Sequence, residues 1–193
     1  VSRLNQTVVF PAKTMIAAAM NPCKCGFFPD LGKCRCTPTQ IRRYLNRVSG
    51  PFLDRIDIGV EVPRQDLGMM AAEKSIDEGS FPQTEQRNSS AVMRARVMEA
   101  RARQEKRFAD ESISYNSQMT RRQIEEYCRL SGEDAVFLEK VERQQGISAR
   151  GHGKILKVAR TLADLDGQAE IGRTQLAEAI GFRSFEKKYW GSL

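Results

Sequence analysis

The hydrophobic and polar positions change their period along the chain, from alternation in the first third to a helical repeat in the last half. Residues 7–10 and 14–20 form two apolar runs separated by Pro11 and Ala12, and they predict two short strands. The second run is apolar on both faces, as a strand buried in a parallel sheet would be. A third strand is predicted over residues 56–62, where apolar side chains occupy every second position: Ile56, Ile58, Val60 and Val62.

Helix signals lie between these strands and dominate the chain after them. Thr37 predicts an N-cap for a helix that begins at Pro38, and Ser49, Gly50 and Pro51 end that helix before a short one over residues 52–55. A longer helix is predicted over residues 91–108. Its core-facing stripe is Met93, Val97, Ala100, Gln104 and Phe108, with arginines flanking it, which favours a solvated helix with a packed seam over a DNA-reading helix.

The last part of the chain carries further helix starts. Thr120 with Gln123 predicts a capping box for a helix through Arg129, and Ser131 with Asp134 starts another through Gln145. A helix that begins at Ser148 and ends at Gly167 has Ile155, Ala159, Leu162 and Leu165 on its core face, and a last helix is predicted over residues 174–182. These short amphipathic helices predict a small bundle.

Residues 64–90 have no sustained period and are rich in Gly, Ser, Asn and Pro, so they are the best candidate linker. We therefore predict an α/β segment over residues 1–66 with a cysteine-rich insertion at 23–36, a linker over 67–90, and an all-α domain over 91–193. The chain as a whole is predicted to be predominantly helical.

The positive charge is concentrated at the beginning of the chain. Residues 1–50 hold eight basic residues and one acidic residue, so they account for the whole net charge of +7. A basic region of this kind suits a polyanion such as nucleic acid, although basic surfaces also serve solubility alone. The candidate DNA-binding residues are Lys24, Lys33, Arg35, Arg42 and Arg43.

The composition, 40% hydrophobic and 28% charged, predicts an ordinary globular chain. The longest apolar run, residues 15–20, is far shorter than a membrane span, and the beginning of the chain has no secretory pattern, so a cytoplasmic location is expected and no membrane partner. Because Val1 is not a natural start, we expect a piece of a longer protein.

Four of the five cysteines lie within fourteen positions, as two Cys-x-Cys pairs: Cys23 and Cys25, then Cys34 and Cys36. Two thiolate pairs on tight loops suit the tetrahedral preference of zinc, and the basic neighbours Lys24, Lys33 and Arg35 favour deprotonation. Against zinc stands the spacing, which is less usual than Cys-x-x-Cys, and four packed thiols remain the alternative. Disulfides are disfavoured in a reducing compartment. Cys128 is expected to be buried alone on a later helix.

Three polar residues stand at positions suited to a ligand. Asn21 follows the predicted buried strand, at the carboxyl end where open α/β sheets bind ligands, although a simple turn asparagine is the alternative. Arg55 lies at a helix end where the chain turns into the predicted third strand, and it can reach outward. Arg150 lies in the first turn after Ser148, where the helix dipole penalises a cation. A phosphate would resolve that conflict, and a solvent-screened arginine is the alternative.

Four segments carry a resemblance to a known family: AAAMNPCKCG, CRCTPTQIRRY, SGPFLDRIDIGVEVP and SARGHGKILKVARTLADLDG. Together they resemble the magnesium-chelatase-like AAA+ ATPases of the ComM (YifB) family, and the resemblance covers nearly the whole chain. It implies that Asn21 is the sensor-1 residue, that Arg55 in LDRID is the arginine finger acting on the neighbouring subunit's nucleotide, and that Arg150 is the sensor-2 arginine of a helical lid. It further implies ATP, Mg²⁺ and a ring, with six subunits as the expected number.

The chain departs from that family in lacking two nucleotide-binding motifs. No G-x-x-x-x-G-K-[ST] occurs, and no apolar strand ends in paired acidic residues, so the parts for Walker A and Walker B are expected upstream of Val1. We therefore expect the chain to be the C-terminal part of the AAA+ core plus its lid, and to neither bind ATP tightly nor hydrolyse it alone.

Three functions are compatible with these features. The resemblance implies a ring ATPase that moves on DNA, in branch migration during natural transformation and recombination. The alternatives are the ATPase subunit of a magnesium-chelatase-type complex and a zinc-stabilised binding module without a motor role. The cysteine pairs and the basic first third favour the DNA motor over the chelatase, and Arg55 with Arg150 disfavours the third alternative.

Overall fold

The computed structural model describes residues 2–3, 6–9, 14–62 and 89–191. Within these ranges the chain is predominantly helical, which confirms that part of the sequence prediction. It divides into two compact units, Val1–Arg47 and Val48–Leu193. No helix in the described ranges is both long and apolar enough to cross a membrane.

The first unit contains a small antiparallel ladder and one helix. Strand β1, Ser2–Arg3, pairs with β2, Gln6–Thr7, in the register Ser2 with Thr7 and Arg3 with Gln6. Helix α1, Pro38–Leu45, begins as predicted: the Gln40 backbone N–H donates to Thr37 Oγ1, and the Thr37 backbone N–H donates to the Gln40 side chain. Ile41 and Leu45 are its buried residues.

The second unit contains the remaining described helices. They are α2 (Gly50–Leu53), α3 (Ser90–Arg107), α4 (Arg121–Tyr127), α5 (Gly132–Gln145), α6 (Ala149–Leu165), α7 (Arg173–Gly181) and α8 (Ser184–Trp190), with a 3-10 turn at Asn116–Gln118. The predicted N-caps Thr120, Ser131 and Ser148 all accept a backbone N–H of their own first turn. Gly167, with φ of 72°, follows α6 as predicted.

Helix α6 lies at the centre of the bundle and packs against α3, α4 and α7. Its buried face includes Ile155, Leu156, Ala159 and Ala163. The core around this face also takes in Phe108, Met119, Leu138 and Leu176, together with Cys128, which is buried as predicted. Helix α8 and the 3-10 turn are elements that the sequence pattern did not predict.

A buried charged network joins α3, α6 and the 3-10 turn. Asp164 is fully buried and binds Arg107 through two hydrogen bonds, of 2.5 and 2.9 Å. Arg160 Nη2 lies 3.1 Å from the same carboxylate, and Asn116 Nδ2 donates to it at 2.8 Å. Each oxygen of this buried carboxylate therefore has at least one charged or polar partner.

The three predicted strands are not strands in this structure. Residues 14–20 are all exposed and form no ladder, and Thr7 contributes only to the two-residue β2, while Phe10 lies outside the described residues. Residues 56–62 have no strand partner, and Ile58, Val60 and Val62 are 50%, 67% and 88% exposed. A strand requires a neighbour to pair its backbone groups, and the described residues supply none for these segments. The described residues thus give no support to these strands, and the assignment of residues 1–66 to an α/β segment stays a prediction.

The predicted domain boundaries also remain a prediction. Most of the predicted linker, residues 67–88, lies outside the described residues, and Ser89 and Ser90 belong to the beginning of α3. Residues 48–62, which the sequence assigned to the α/β segment, group with the helical unit.

Candidate functional site

The segment after α2 lies on the helical bundle. Ser148 Oγ donates to Asp54 Oδ1 (3.2 Å), and Arg183 Nη1 donates to the Ile56 carbonyl (2.9 Å). Further along, the Gly59 backbone N–H donates to the Phe182 carbonyl (2.9 Å). These bonds replace the sheet pairing that the alternating pattern predicted.

The end of this segment is held by α8. Glu61 pairs with Lys188 Nζ at 2.7 Å and accepts a hydrogen bond from the Tyr189 hydroxyl. These two contacts, chiefly the one with Lys188, lower the pKa of Glu61, whereas burial raises the pKa of Tyr189 to about 12. Gly59 is required here, since a Cβ at this position would lie 2.2 Å from the Phe185 ring.

An open cleft of about 1300 Å³ in the second unit has both Arg55 and Arg150 in its lining. Most of the exposed lining is apolar and includes Ile124 and Leu162. The other basic residues of the lining are Arg121, His152, Lys154 and Lys157, and its acidic residues are Asp57, Glu125 and Glu142. With five Lys or Arg side chains against three carboxylates, the lining has an excess of positive charge next to apolar surface, an arrangement that suits an anionic ligand.

Arg55 is exposed at the end of α2. Its Nη1 donates to the carbonyl of Pro51 in α2 (2.8 Å), four residues earlier in the chain. Among the described residues this backbone carbonyl is the partner of the exposed guanidinium, and one such bond leaves most of its N–H donors available. The expectation that Arg55 can reach outward agrees with this position.

Arg150 lies in the first turn of α6, where the sequence predicted it. Its Nη1 lies 3.7 Å from Asp54 Oδ2, and the side chain is 62% exposed. Asp54 therefore offsets part of the unfavourable interaction of Arg150 with the helix dipole. A pair this long and exposed contributes little to stability, so it leaves Arg150 free to exchange partners.

Two lysines of α6 were not singled out by the sequence analysis. Lys154 Nζ donates to the Arg55 carbonyl (2.5 Å) and pairs with Asp57 Oδ1 (3.0 Å). Lys157 Nζ donates to the Ser117 carbonyl (3.0 Å), and burial lowers its pKa. A signal for Lys154 was present in the sequence, because it lies four residues after Arg150 and hence on the same face of the helix.

Asn21 belongs to the other unit, Val1–Arg47. Its side chain is exposed, and it directly precedes the cysteine-rich loop. Its assignment as a sensor residue stays a prediction.

The four clustered cysteines bring their sulfur atoms together. All four Sγ atoms lie within 4.8 Å of one another, with Cys23 to Cys25 at 3.4 Å, Cys25 to Cys34 at 3.5 Å and Cys23 to Cys34 at 3.8 Å. For a zinc ion with four thiolates at about 2.3 Å, tetrahedral geometry places the sulfurs about 3.8 Å apart. The arrangement therefore fits a closed tetrahedral metal site.

The acidities of these thiols differ. A hydrogen bond from the Phe27 backbone lowers the pKa of Cys25 to about 6. Although a backbone hydrogen bond from Cys36 acts to lower it, burial and the neighbouring thiols raise the pKa of Cys34 to about 12. Neighbouring thiolates repel one another, which makes it harder to deprotonate all four cysteines together. A divalent cation would offset this repulsion by stabilising all four thiolates.

The predicted DNA-binding residues are all exposed in the first unit. Lys24, Lys33 and Arg35 lie in the cysteine-rich loop, and Arg42 and Arg43 lie on α1. Lys33 pairs with Asp30 at 3.7 Å, and both side chains are largely solvated.

Two family models match the chain. Residues 87–183 match the model described as "Magnesium chelatase, subunit ChlI C-terminal", and residues 1–70 match the one described as "Magnesium chelatase, subunit ChlI". The chain therefore belongs to the magnesium-chelatase-like family of AAA+ ATPases.

Curated relatives locate it further within that family. The chain is 40% identical over 185 residues to the competence protein ComM of Haemophilus influenzae, an alignment that covers 95% of this chain and 33% of ComM. It is 39% identical to YifB of Escherichia coli, over 96% of this chain and 34% of YifB. A protein of Mycobacterium bovis is 30% identical over 94% of this chain and 34% of its own length. The chain thus spans about a third of the length of these relatives.

Proposed function

We propose that this chain is the C-terminal part of a ring-forming AAA+ ATPase that acts on DNA, and that it supplies three residues to ATP hydrolysis. In this proposal Arg55 is the arginine finger, Arg150 is the sensor-2 arginine and Asn21 is the sensor-1 residue. The observation that carries it is that Arg55 and Arg150, far apart in sequence, line the same cleft.

The chemistry of phosphoryl transfer explains why two arginines would meet there. Negative charge spreads over the oxygens of the transferred phosphoryl group, and guanidinium groups stabilise it by charge-assisted hydrogen bonds. The first turn of α6 adds backbone N–H groups next to Arg150, and helix N-termini favour phosphate. In the absence of phosphate, Asp54 serves as the counter-charge of Arg150.

The shared cleft supports a common target for both arginines. An arginine finger acts on the nucleotide of the neighbouring subunit, so an Arg150 that faces the same cleft would contact that same nucleotide. ATP with Mg²⁺ then requires binding elements that this chain does not contain, because it has no Walker A sequence. Hydrolysis accordingly requires a ring, for which we propose six subunits, and this chain alone is inactive.

Two features support DNA as the partner. The exposed basic residues of the first unit form a surface suited to phosphates: Lys24, Lys33, Arg35, Arg42 and Arg43. The relative from Haemophilus influenzae is named a competence protein, which fits branch migration of DNA during natural transformation and recombination, in the cytoplasm.

We further propose that Cys23, Cys25, Cys34 and Cys36 hold a structural zinc ion. Their spacing and the 3.4 to 3.8 Å separations among three of the sulfurs support this role, which gives the basic loop a fixed shape. With four protein ligands the site is closed, so the zinc has no open position for catalysis.

The test is ATP turnover by the intact parent protein, with and without a four-way DNA junction. Junction DNA is expected to stimulate turnover, and Arg55→Ala is expected to lower it by about 10³ to 10⁵, the range known for arginine fingers. Arg150→Ala is expected to lower it as well. Arg143→Ala is the matched control, since Arg143 is an exposed arginine that lies outside the cleft and pairs with Glu139 alone among the described residues.

The alternatives predict other results. The family description favours an ATPase subunit of a magnesium-chelatase-type complex as the second candidate, and turnover that is indifferent to DNA but sensitive to Arg55→Ala would support it. If ATP turnover by Arg55→Ala stays within a few-fold of turnover by the native protein, Arg55 is not an arginine finger, and a zinc-stabilised binding module is favoured.

A further inference from the structure

The backbone that carries Arg55 is bonded to the helical bundle at successive positions. Lys154 on α6 donates to the Arg55 carbonyl, Arg183 donates to the Ile56 carbonyl, and Gly59 donates to the Phe182 carbonyl. The residues before and after Arg55 therefore move with the bundle.

Lys154 is the member of this set that links the two arginines most directly. It lies one turn after Arg150 on α6, and its ammonium contacts both the Arg55 carbonyl (2.5 Å) and Asp57 Oδ1 (3.0 Å). Its side chain is only 16% exposed, although it is charged. A lysine held in this way has two of its three N–H donors engaged and serves as a fixed anchor rather than a mobile surface charge.

The Arg55 backbone has few other attachments. The α2 helix is a single turn, Gly50–Leu53. Among the residues that the structure describes, the Arg55 side chain bonds to the Pro51 carbonyl of that same turn. So short a helix is not stable by its own hydrogen bonds. The orientation of Arg55 is consequently set by the contacts of residues 54–59 with α6 and with residues 182–185.

We propose that Lys154 is a positioning residue that locks the Arg55 segment to α6, so that Arg55 and Arg150 move as one rigid body. The effect on catalysis rests on the proposed function. The anchoring of the Arg55 segment by Lys154 does not depend on that function. It means that a movement of the helical bundle carries both arginines into or out of the neighbour's phosphates together.

The anchoring is tested first by hydrogen exchange of the intact parent protein. Lys154→Met keeps the apolar stem and removes the ammonium, and it is expected to raise exchange of the backbone amides of residues 55–59 about tenfold by local opening. Exchange within α6 is expected to stay unchanged. Lys157→Met is the matched control, since Lys157 is on the same helix but donates to Ser117. Unchanged exchange at 55–59 in Lys154→Met overturns the proposal.

The catalytic consequence is tested by a double-variant cycle on ATP turnover. Lys154→Met is expected to lower kcat about 100-fold by misplacing Arg55, and Lys154→Arg, which keeps a cationic donor, is expected to restore most of it. In an Arg55→Ala background, Lys154→Met should cause no further loss, because its effect passes through Arg55. A loss of equal size in both backgrounds overturns the positioning role and makes Lys154 a direct phosphate ligand.

The two experiments separate failure of this inference from failure of the proposed function. If Arg55→Ala leaves turnover unchanged, the arginine-finger assignment fails, yet the exchange measurement still decides whether Lys154 anchors the segment. If Arg55→Ala abolishes turnover and Lys154→Met does not lower it, the function stands and the positioning role is wrong.

Discussion

At the scale of single residues, Asp164 joins several side chains of the helical unit through one buried carboxylate. It is fully buried and binds two arginines and an asparagine. We expect Asp164→Asn to lower the free energy of unfolding by about 3 to 5 kcal/mol, because it leaves the buried Arg160 and the partly buried Arg107 without a counter-charge. Urea unfolding at neutral pH measures this.

A matched control is available on the surface. Glu139 pairs with Arg143 at 2.9 Å, and both side chains are at least 70% exposed. Glu139→Gln is expected to cost less than about 1 kcal/mol, since exposed pairs are screened by solvent. If Asp164→Asn and Glu139→Gln lower the free energy of unfolding by the same small amount, the buried network contributes no more to stability than a surface ion pair does.

The ionisation of Asp164 should also make the stability of the helical unit depend on pH. Burial acts to raise the pKa of Asp164, but the hydrogen bonds from Arg107 and Asn116 and the nearby arginine charges hold it below its ordinary value. The pKa of Asp164 is lower in the folded chain than in the unfolded chain, where it is about 3.9. The ionised carboxylate therefore stabilises the fold fully above that pH, and this stabilisation is lost as the pH falls through the folded pKa. The stability difference between the native chain and Asp164→Asn should stay constant from about pH 5 to 7 and narrow only below about pH 3.9. A difference that already narrows near neutral pH would contradict this.

At the scale of elements, the helix starts are set by local caps. Thr120 accepts from the Gln123 backbone N–H, and the Gln123 side chain accepts from the Thr120 backbone N–H (2.9 Å). We expect Thr120→Ala to lower the free energy of unfolding by about 1 kcal/mol, the usual cost of a lost N-cap. Thr174→Ala, at an exposed first-turn position of α7 that is not the cap, should stay within about 0.5 kcal/mol. If both threonines give the same small change, the cap contributes nothing.

A second prediction at this scale concerns the segment that carries Arg55. In Gly59→Ala the new Cβ would lie 2.2 Å from the Phe185 ring, so the segment or the ring must shift. We expect this to weaken the contact with α8 by about 1 to 3 kcal/mol, as overpacking does elsewhere, and to raise amide exchange at residue 59. Gly132→Ala, where nothing lies within 4 Å, is the control that should leave that amide unchanged.

The elements also differ in how well the sequence predicts them. The N-caps Thr37, Thr120, Ser131 and Ser148 were found because a cap acts within three residues of its helix. The strand over residues 56–62 was wrong, because an alternating pattern states which side chains share a face and does not state whether a partner strand exists. Helix α8 was missed because its apolar side chains, Phe185 and Trp190, contact one another and the Arg55 segment rather than forming a periodic stripe.

At the scale of the whole molecule, the two units have separate sources of order. The core of the helical bundle is formed by residues between Phe108 and Ile180, among the described part of the chain, and it includes none of the four clustered cysteines. We therefore expect a chelator that removes zinc from the loaded protein to raise amide exchange in residues 23–36 and to leave the core of the bundle protected. Parallel loss of protection at Leu138 and Leu176 would contradict this independence.

Cysteine variants provide the matching test of metal content. Cys34→Ser is expected to abolish stoichiometric zinc binding, because the site then lacks one of its four thiolates. Cys128→Ser serves as the control for metal content, since that thiol is buried in the bundle and is not one of the four clustered thiols. Zinc binding that survives Cys34→Ser would exclude a closed four-thiolate site.

Four properties follow from the amino-acid sequence alone: the helical character of the chain, most helix starts, the grouping of four cysteines in one short loop, and the family. These are local properties or direct matches of residues, and they do not depend on how the chain packs. Three others became visible only in the packed chain: residues 54–61 lie on the bundle, Arg55 and Arg150 share a cleft, and Lys154 contacts the backbone of Arg55 one turn after Arg150. The physical reason is that contacts between residues so distant in the chain depend on the packing of all the intervening helices, which no local pattern encodes.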